Sequence, residues 1–331
     1  MPAATARGRH EPHPEGGLGV SALSARTTRG HSPLKREQHV WGWIFLSPWI
    51  IGFLVFTILP ILASLVFSFT NFKLTAPDEV AFVGLANYLK LFVDPLVAVS
   101  LGVTFKFAAI ALPVGIILPV ALAALLNSKW LVGKPFFRTL FYMPYVVPIV
   151  SAIFIWQGVL NEQTGWVNRI LRLVGVTGPN WLDDVTWIYP ALVIIGLWGI
   201  GNAFLITLAS MQAVPSAYYE AARVDGASGW ARFRNITLPM ISPVIFYNLV
   251  LSIIGLMRYF EVPFIMSNGT GRPGDSTMFF NIHFYKTSFV FFDMGYGSAL
   301  AWLLFVITMA MTGLLFYSAR YWVFYAAGDR D

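Results

Sequence analysis

The uncharged stretch FAAIALPVGIILPVALAALLNS, from Phe107 to Ser128, indicates what kind of fold this chain adopts. About 20 predominantly apolar residues cross the hydrocarbon core of a bilayer as one helix, and this stretch is long enough to do so. Five more stretches lack any Asp, Glu, Lys, Arg or His: Val40 to Phe72, Thr139 to Asn161, Val185 to Tyr219, Asn235 to Met257 and Met294 to Ala319. Since none alternates as a barrel strand does, we expect helices.

The six stretches together predict an all-α membrane protein with six transmembrane helices. We place the transmembrane domain at 40–325. Its helices are expected at about 43–70, 98–127, 137–160, 187–212, 239–262 and 295–320.

The composition agrees with a membrane location. Hydrophobic residues make up 57% of the 331 and charged residues 11%, and cysteine is absent. Soluble domains carry roughly a quarter charged residues, so a water-soluble fold is not expected. The net charge of +6 is spread among apolar segments, which does not favour a nucleic-acid partner.

The distribution of basic residues predicts the orientation in the bilayer. Of the 22 Lys and Arg residues, 14 fall in the two tails and in the connections after the second and fourth helices, against 6 on the opposite side. An excess of Lys and Arg marks the cytoplasmic side, so both termini are expected there. The basic N-terminal segment 1–39 has few apolar residues and is expected to be disordered.

A hydrophilic insert at 213–239, between the fourth and fifth helices, predicts a helix, a turn and a second helix. Pro215 and Ser216 are helix-start signals, Gly226 can take the left-handed conformation that ends the first helix, and Ser228 can cap the second. Tyr218, with Ala221 and Ala222, would lie on one helix face and offer a docking surface.

The same insert carries Glu220-Ala221-Ala222, three residues, Gly226, nine residues, Ile236, one residue and Leu238-Pro239. This pattern resembles that of membrane permease subunits of bacterial ABC importers. The resemblance extends from about Trp43 to Ala319 and is greatest to the carbohydrate-uptake class of maltose and glycerol-phosphate type. It is supported by the segments 142–148, 267–274 and 292–299, although Asn268-Gly-Thr-Gly-Arg-Pro departs from the shorter Gly-Gly-Pro of relatives.

The resemblance implies a maltose-type permease fold with a cytoplasmic coupling helix, in the bacterial cytoplasmic (inner) membrane. By it, 213–239 is the coupling segment, which docks on a partner ATPase through Glu220, Ala221, Ala222, Asp225 and Gly226. The implied partners are two ATP-binding subunits, a second permease in a heterodimer, and an extracytoplasmic solute-binding protein. The alternative for this insert is an amphipathic helix that lies on the membrane surface.

The sequence does not predict an enzyme. No Gly-x4-Gly-Lys-Ser/Thr phosphate loop is present, so ATP and Mg are expected on the partner ATPase subunits rather than on this chain. No Gly-x-Ser-x-Gly elbow occurs, and His283, expected in an outer loop, is the only His beyond residue 39. We therefore expect no catalytic residue, no metal site and no bound cofactor.

Polar and aromatic residues in the last three helices are candidates for the solute pathway, because such groups need partners or a wet cavity inside a membrane. The candidates are Trp198, Asn202, Thr207, Asn248, Ser252, Arg258, Tyr259, Ser298 and Trp302. Amides, hydroxyls and aromatic rings suit a sugar, but the same groups also form hydrogen bonds between helices. Arg258 either lines an outer cavity, with Glu261 as its ion-pair partner, or extends to the interface.

The sequence leaves the cargo open. A sugar or sugar-like solute is expected. Glycerophosphodiesters, amino acids or peptides are alternative solutes for the same kind of ATP-driven importer. A secondary transporter is less expected, because the predicted spans contain no acidic residue apart from the marginal Glu261.

Overall fold

A computed structural model of the chain describes residues 33–325, which fold into α-helices without a regular β-strand. The helices in chain order are α1 Pro33–Phe53, α2 Leu59–Phe67, α3 Ala86–Val93, α4 Pro95–Asn127, α5 Lys134–Tyr142, α6 Ile149–Val159, α7 Trp166–Leu173, α8 Ile188–Leu197, α9 Gly201–Gln212, α10 Ser216–Val224, α11 Gly229–Arg232, α12 Leu238–Met240, α13 Ser242–Met257, α14 Glu261–Ser267, α15 Phe280–Tyr285 and α16 Met294–Trp322.

The chain divides into two compact units, Met1–Leu59 and Pro60–Asp331. The described part of the first unit is α1 and the wide helical turn Leu54–Ile58. Helix α1 begins at Pro33, before the apolar stretch starts at Val40. Most of the predicted disordered tail, 1–32, lies outside the described residues.

Four helical segments within the described residues are long and apolar enough to cross a bilayer: Val40–Phe67, Pro95–Asn127, Ser242–Ser267 and Met294–Trp322. Two further pairs of helices meet this criterion only when each bent pair is taken as one span. The bounds agree closely with the predicted helices. The number of spans is therefore four, or up to six.

The third predicted helix is broken rather than straight, since Lys134–Val146 and Ile149–Val159 meet at 104°. Val147 has extended backbone angles (φ −71°, ψ 130°), and Pro148 follows it. A residue before proline avoids the helical region, and proline has no N–H for a helical hydrogen bond, so the chain turns here.

The fourth predicted helix also bends, by 55°, between Ile188–Leu197 and Gly201–Gln212. The N–H groups of Trp198, Gly199 and Ile200 each bond to the carbonyl three residues earlier. This tighter winding separates the two helices and changes the direction of the chain.

Helix α4 lies at the centre of the second unit and packs against α8, α9, α13 and α15. Its N-terminal half places Phe107 among the buried side chains of α8 and α15, and its C-terminal half places Ala123 and Leu126 against Phe204 of α9. Close packing of this kind holds membrane helices together where lipid gives no hydrophobic driving force.

Candidate functional site

The insert between α9 and α13 has the helix, turn and helix that its sequence predicts. Helix α10 spans Ser216–Val224, and Gly226 follows it with φ +76° in the left-handed region. Ser228 caps α11, because its hydroxyl accepts a hydrogen bond of 3.2 Å from the N–H of Ala231. Both local predictions are confirmed.

Helix α10 is anchored on one side and exposed on the other. The hydroxyls of Tyr219 and Thr237 are 2.9 Å apart, which ties α10 to the helical turn before α12. Glu220, Ala221 and Asp225 are exposed, and Ala222 is half-buried. The exposed residues of this insert are thus available to a partner.

Arg258 and Tyr259 lie where α13 ends, on the wall of a cavity of about 560 Å³. Glu261 of α14, and Asn281 and Tyr285 of α15, line the same cavity. Arg258 and Glu261 form no ion pair within the described chain, so the pairing considered from the sequence is not found. The cavity therefore presents a guanidinium, a carboxylate, an amide and aromatic rings to its contents.

Two neighbouring cavities continue from this one. A cavity of about 380 Å³ shares Tyr259 and Gly255 with it, and Ser252 lines its mainly apolar wall. A third, of about 460 Å³, shares Arg258 and Asn281 and extends along α16. Arg258, Tyr259 and Ser252 are the pathway candidates that the structure brings to cavities.

The other pathway candidates do not line these three cavities. The Asn248 amide donates to the Thr207 hydroxyl at 3.2 Å, and the Trp302 indole donates to the Ser64 hydroxyl at 3.3 Å. These are the helix-to-helix hydrogen bonds of the alternative interpretation. Trp198 packs edge-on against another Trp, Ser298 is buried, and Asn202 is exposed.

A buried polar cluster joins α4, α15 and α16 at residues that the sequence did not bring together. The Tyr296 hydroxyl donates to Asp94 Oδ2 at 2.7 Å, and Asp94 Oδ1 caps α4 at the N–H of Leu96. His283 Nε2 lies 3.3 Å from Asp94 Oδ2, without the alignment of a hydrogen bond. His283 lies in helix α15 and is 5% exposed, rather than in an open loop.

One basic and one acidic side chain, Lys90 and Asp293, lie beside this cluster. Lys90 Nζ lies 3.8 Å from the centre of the Tyr296 ring and 3.6 Å from Asp293 Oδ2. Asp293 in turn caps α16 through the N–H of Tyr296. Asp94-Pro95 was a visible helix-start signal, but no pattern in the sequence links it to His283.

Burial and charge set the protonation of the cluster. Burial raises the pKa of Asp94, but hydrogen bonds from Tyr296 and Leu96 and the nearby His283 outweigh burial and leave that pKa below its usual value. Burial lowers the pKa of His283, which Asp94 opposes only in part, while Lys286 and Lys90 add to the lowering. His283 is therefore neutral at neutral pH.

The described residues contain no group of three or more His, Cys, Asp or Glu side chains placed to hold a metal ion. Nothing in this part of the chain resembles a metal centre.

The chain matches a known protein family over residues 111–324, described as "Binding-protein-dependent transport system inner membrane component". The matched residues include the insert 213–239 and nearly all of the residues that line the three cavities.

Two curated proteins are similar over most of their length. The chain is 37% identical over 298 residues to "Probable ABC transporter permease protein YesP" of Bacillus subtilis (strain 168), covering 89% of this chain and 95% of that protein. It is 31% identical over 297 residues to "Lactose transport system permease protein LacF" of Rhizobium radiobacter, covering 88% and 98%.

A chain of a solved bacterial ABC transporter involved in the import of the acidic polysaccharide alginate has the same fold. The TM-score is 0.74 at 22% identity, over 87% of this chain and 97% of that chain.

Proposed function

Because the chain belongs to the family of binding-protein-dependent transport system inner membrane components, we propose that it is a permease subunit that imports a sugar or sugar-like solute by alternating access. The family consists of multi-pass inner-membrane transport components rather than enzymes. Similarity to a lactose transport permease over nearly its full length is the observation that carries the cargo assignment.

The cavity at the end of α13 supports a sugar cargo. Tyr259, Asn281 and Tyr285 supply aromatic surface and an amide on one wall. Aromatic rings cover the apolar faces of sugars, and amides and charged groups bind their hydroxyls. In this proposal Arg258, Tyr259 and Ser252 line the pathway, while Asn248 and Trp302 hold its helices in place.

Energy for transport comes from ATP and Mg on two partner ATPase subunits in this proposal. The exposed face of α10 docks on these ATPase subunits from the cytoplasm. The docking residues are Glu220, Ala221, Ala222, Asp225 and Gly226. A second permease completes a heterodimer, and an extracytoplasmic binding protein delivers the solute. Both termini are cytoplasmic in this arrangement.

The test is uptake by proteoliposomes that contain the chain with its ATPase subunits, second permease and binding protein. We expect ATP-dependent uptake of a labelled sugar or oligosaccharide, chosen by screening the binding protein. Uptake of an amino acid, a peptide or a glycerophosphodiester, with no sugar taken up, would change the proposed solute. The assignment as a subunit of an ATP-driven importer would stand. Solute uptake by the purified chain alone, driven by an ion gradient, would contradict the proposal.

A further inference from the structure

A cavity of about 500 Å³ lies between the end of α4 and the coupling segment. Three basic side chains reach it: Lys129 from the turn after α4, Arg223 from α10 and Arg232 from α11. None of the residues described along its wall carries a carboxylate. The cavity therefore concentrates positive charge between two elements that are distant in sequence.

The three basic side chains have no counter-charge among the side chains of residues 40–325. None of Lys129, Arg223 and Arg232 forms an ion pair within that range. Arg223 donates from Nε to the Tyr219 carbonyl at 3.3 Å, and Arg232 donates from Nη1 to the Ala227 carbonyl at 2.8 Å. Each guanidinium has five N–H donors, so most remain available, and both are held in place by the backbone.

The position of the cavity favours an occupant from the bilayer. The candidate span Pro95–Asn127 ends directly before Ser128 and Lys129, which line the cavity. Trp130, whose side chain is largely exposed, lines it too, with Lys129 Nζ at 5.0 Å from its ring. Trp side chains with Lys mark the membrane–water interface, the level at which lipid phosphates lie.

We infer that this cavity binds a phosphate group, with the headgroup of an anionic phospholipid as the occupant. Basic pockets at the interface recognise such headgroups, and guanidinium groups match phosphate geometry. The bound phosphate connects α4 to the coupling segment. The assignment of this lipid to the cytoplasmic leaflet rests on the proposed function. The binding of the phosphate group does not depend on it.

The occupant leaves the docking face of α10 free. Ser216, Tyr219 and Arg223 line the cavity. Tyr218 and Ala221 lie on the opposite side of the helix at about 100° per residue, while Glu220 lies between the two sides and stays exposed. A phospholipid and a partner subunit therefore contact α10 from different sides.

The test is a native mass spectrometry titration of the purified full-length chain in detergent with phosphatidylglycerol or phosphatidylcholine. We expect tighter binding of phosphatidylglycerol, weakened about fivefold by Arg223→Gln and about 25-fold when Arg232→Gln is added. Arg223→Lys, which keeps the charge, should retain most of the affinity. Arg234→Gln is the matched control, because Arg234 is exposed in the same insert and does not line the cavity.

A second arm identifies the source of the phosphate. If inorganic phosphate raises the unfolding temperature of wild type and not of the double variant, while phosphatidylglycerol affinity is equal in both, the site is real and a soluble anion fills it. Equal phosphatidylglycerol affinity in both with no response to inorganic phosphate overturns the inference. An equal loss of affinity in Arg234→Gln also overturns it, because it indicates diffuse surface charge. Failure of sugar uptake by the complex would affect the proposed function and leave these measurements unchanged.

Discussion

Glu220 is an exposed carboxylate near the middle of helix α10. A charge pair that becomes desolvated in an interface costs roughly 2 to 5 kcal/mol when one partner is truncated, which weakens binding more than tenfold. We expect Glu220→Ala to loosen the association with the ATPase subunits by at least that factor, measured by quantitative co-purification. Glu162→Ala, an exposed carboxylate in another loop, is the control. Unchanged association in Glu220→Ala would show that another residue carries the coupling charge.

Substitutions at Gly226 test whether the turn after α10 is needed for association with the ATPase subunits. Its φ is +76°, and a Cβ there would meet no atom within 4 Å, so only backbone strain opposes substitution. A left-handed conformation costs an L-residue about 1 to 2 kcal/mol, and more when it is β-branched, while Asn tolerates it. We expect Gly226→Val to weaken ATPase association and Gly226→Asn to preserve it. Equal behaviour of the two variants would contradict a role for the turn.

His283 should make stability depend on pH. Its pKa in the folded protein lies below the ordinary 6.5, so between those two values the unfolded chain binds more protons than the folded one. The free energy of unfolding therefore falls as the pH decreases through 6.5. We expect the unfolding temperature of the purified chain to fall between about pH 7.5 and about pH 5.5, and His283→Gln to flatten this dependence. Asp94, whose pKa is lowered from 3.8, loses its contribution only at more acidic pH.

At the scale of elements, the gap between α13 and α14 shapes the cavity of about 560 Å³. Helix α13 ends at Met257, α14 begins at Glu261, and Arg258 stands in the interval on the wall of two cavities. The sequence left open whether Arg258 lines a cavity or extends to the interface. Its position on both walls favours the cavity.

Arg258→Met should weaken sugar uptake without lowering the amount of protein in the membrane, because it removes the guanidinium and retains much of the side-chain length. The measurement is the kinetics of uptake in proteoliposomes together with quantitative immunoblotting. Arg169→Met, an exposed residue of α7, serves as the control. Wild-type kinetics in Arg258→Met would indicate that the side chain extends to the interface instead.

At the scale of the whole molecule, orientation is the property on which the coupling proposal depends. The chain has no cysteine, so single cysteines can be introduced without altering other residues. Val224→Cys, in the exposed end of α10, should react with an impermeant maleimide only from the cytoplasmic side. Glu162→Cys should react only from outside. The reverse pattern would place the coupling segment on the wrong side of the membrane and contradict its proposed role.

The sequence by itself determined the helical membrane architecture and the local form of the coupling segment. Membrane helices depend on hydropathy summed over about 20 neighbouring residues, which is local information. Gly226 and Ser228 act through their own backbone and side chain, so their roles could also be predicted locally.

Only the tertiary structure decided which helices bend and which polar residues meet. Prolines stood in several predicted helices, including Pro113 and Pro119 within α4, yet the chain turns sharply at Pro148, where the preceding residue is extended. Whether a proline breaks a helix depends on neighbours that can satisfy the freed backbone groups. Likewise, Asp94 meets His283 and Tyr296 only because α4, α15 and α16 pack together. Partners so far apart in sequence follow from the packing of the helices, and no local pattern of residues records that packing.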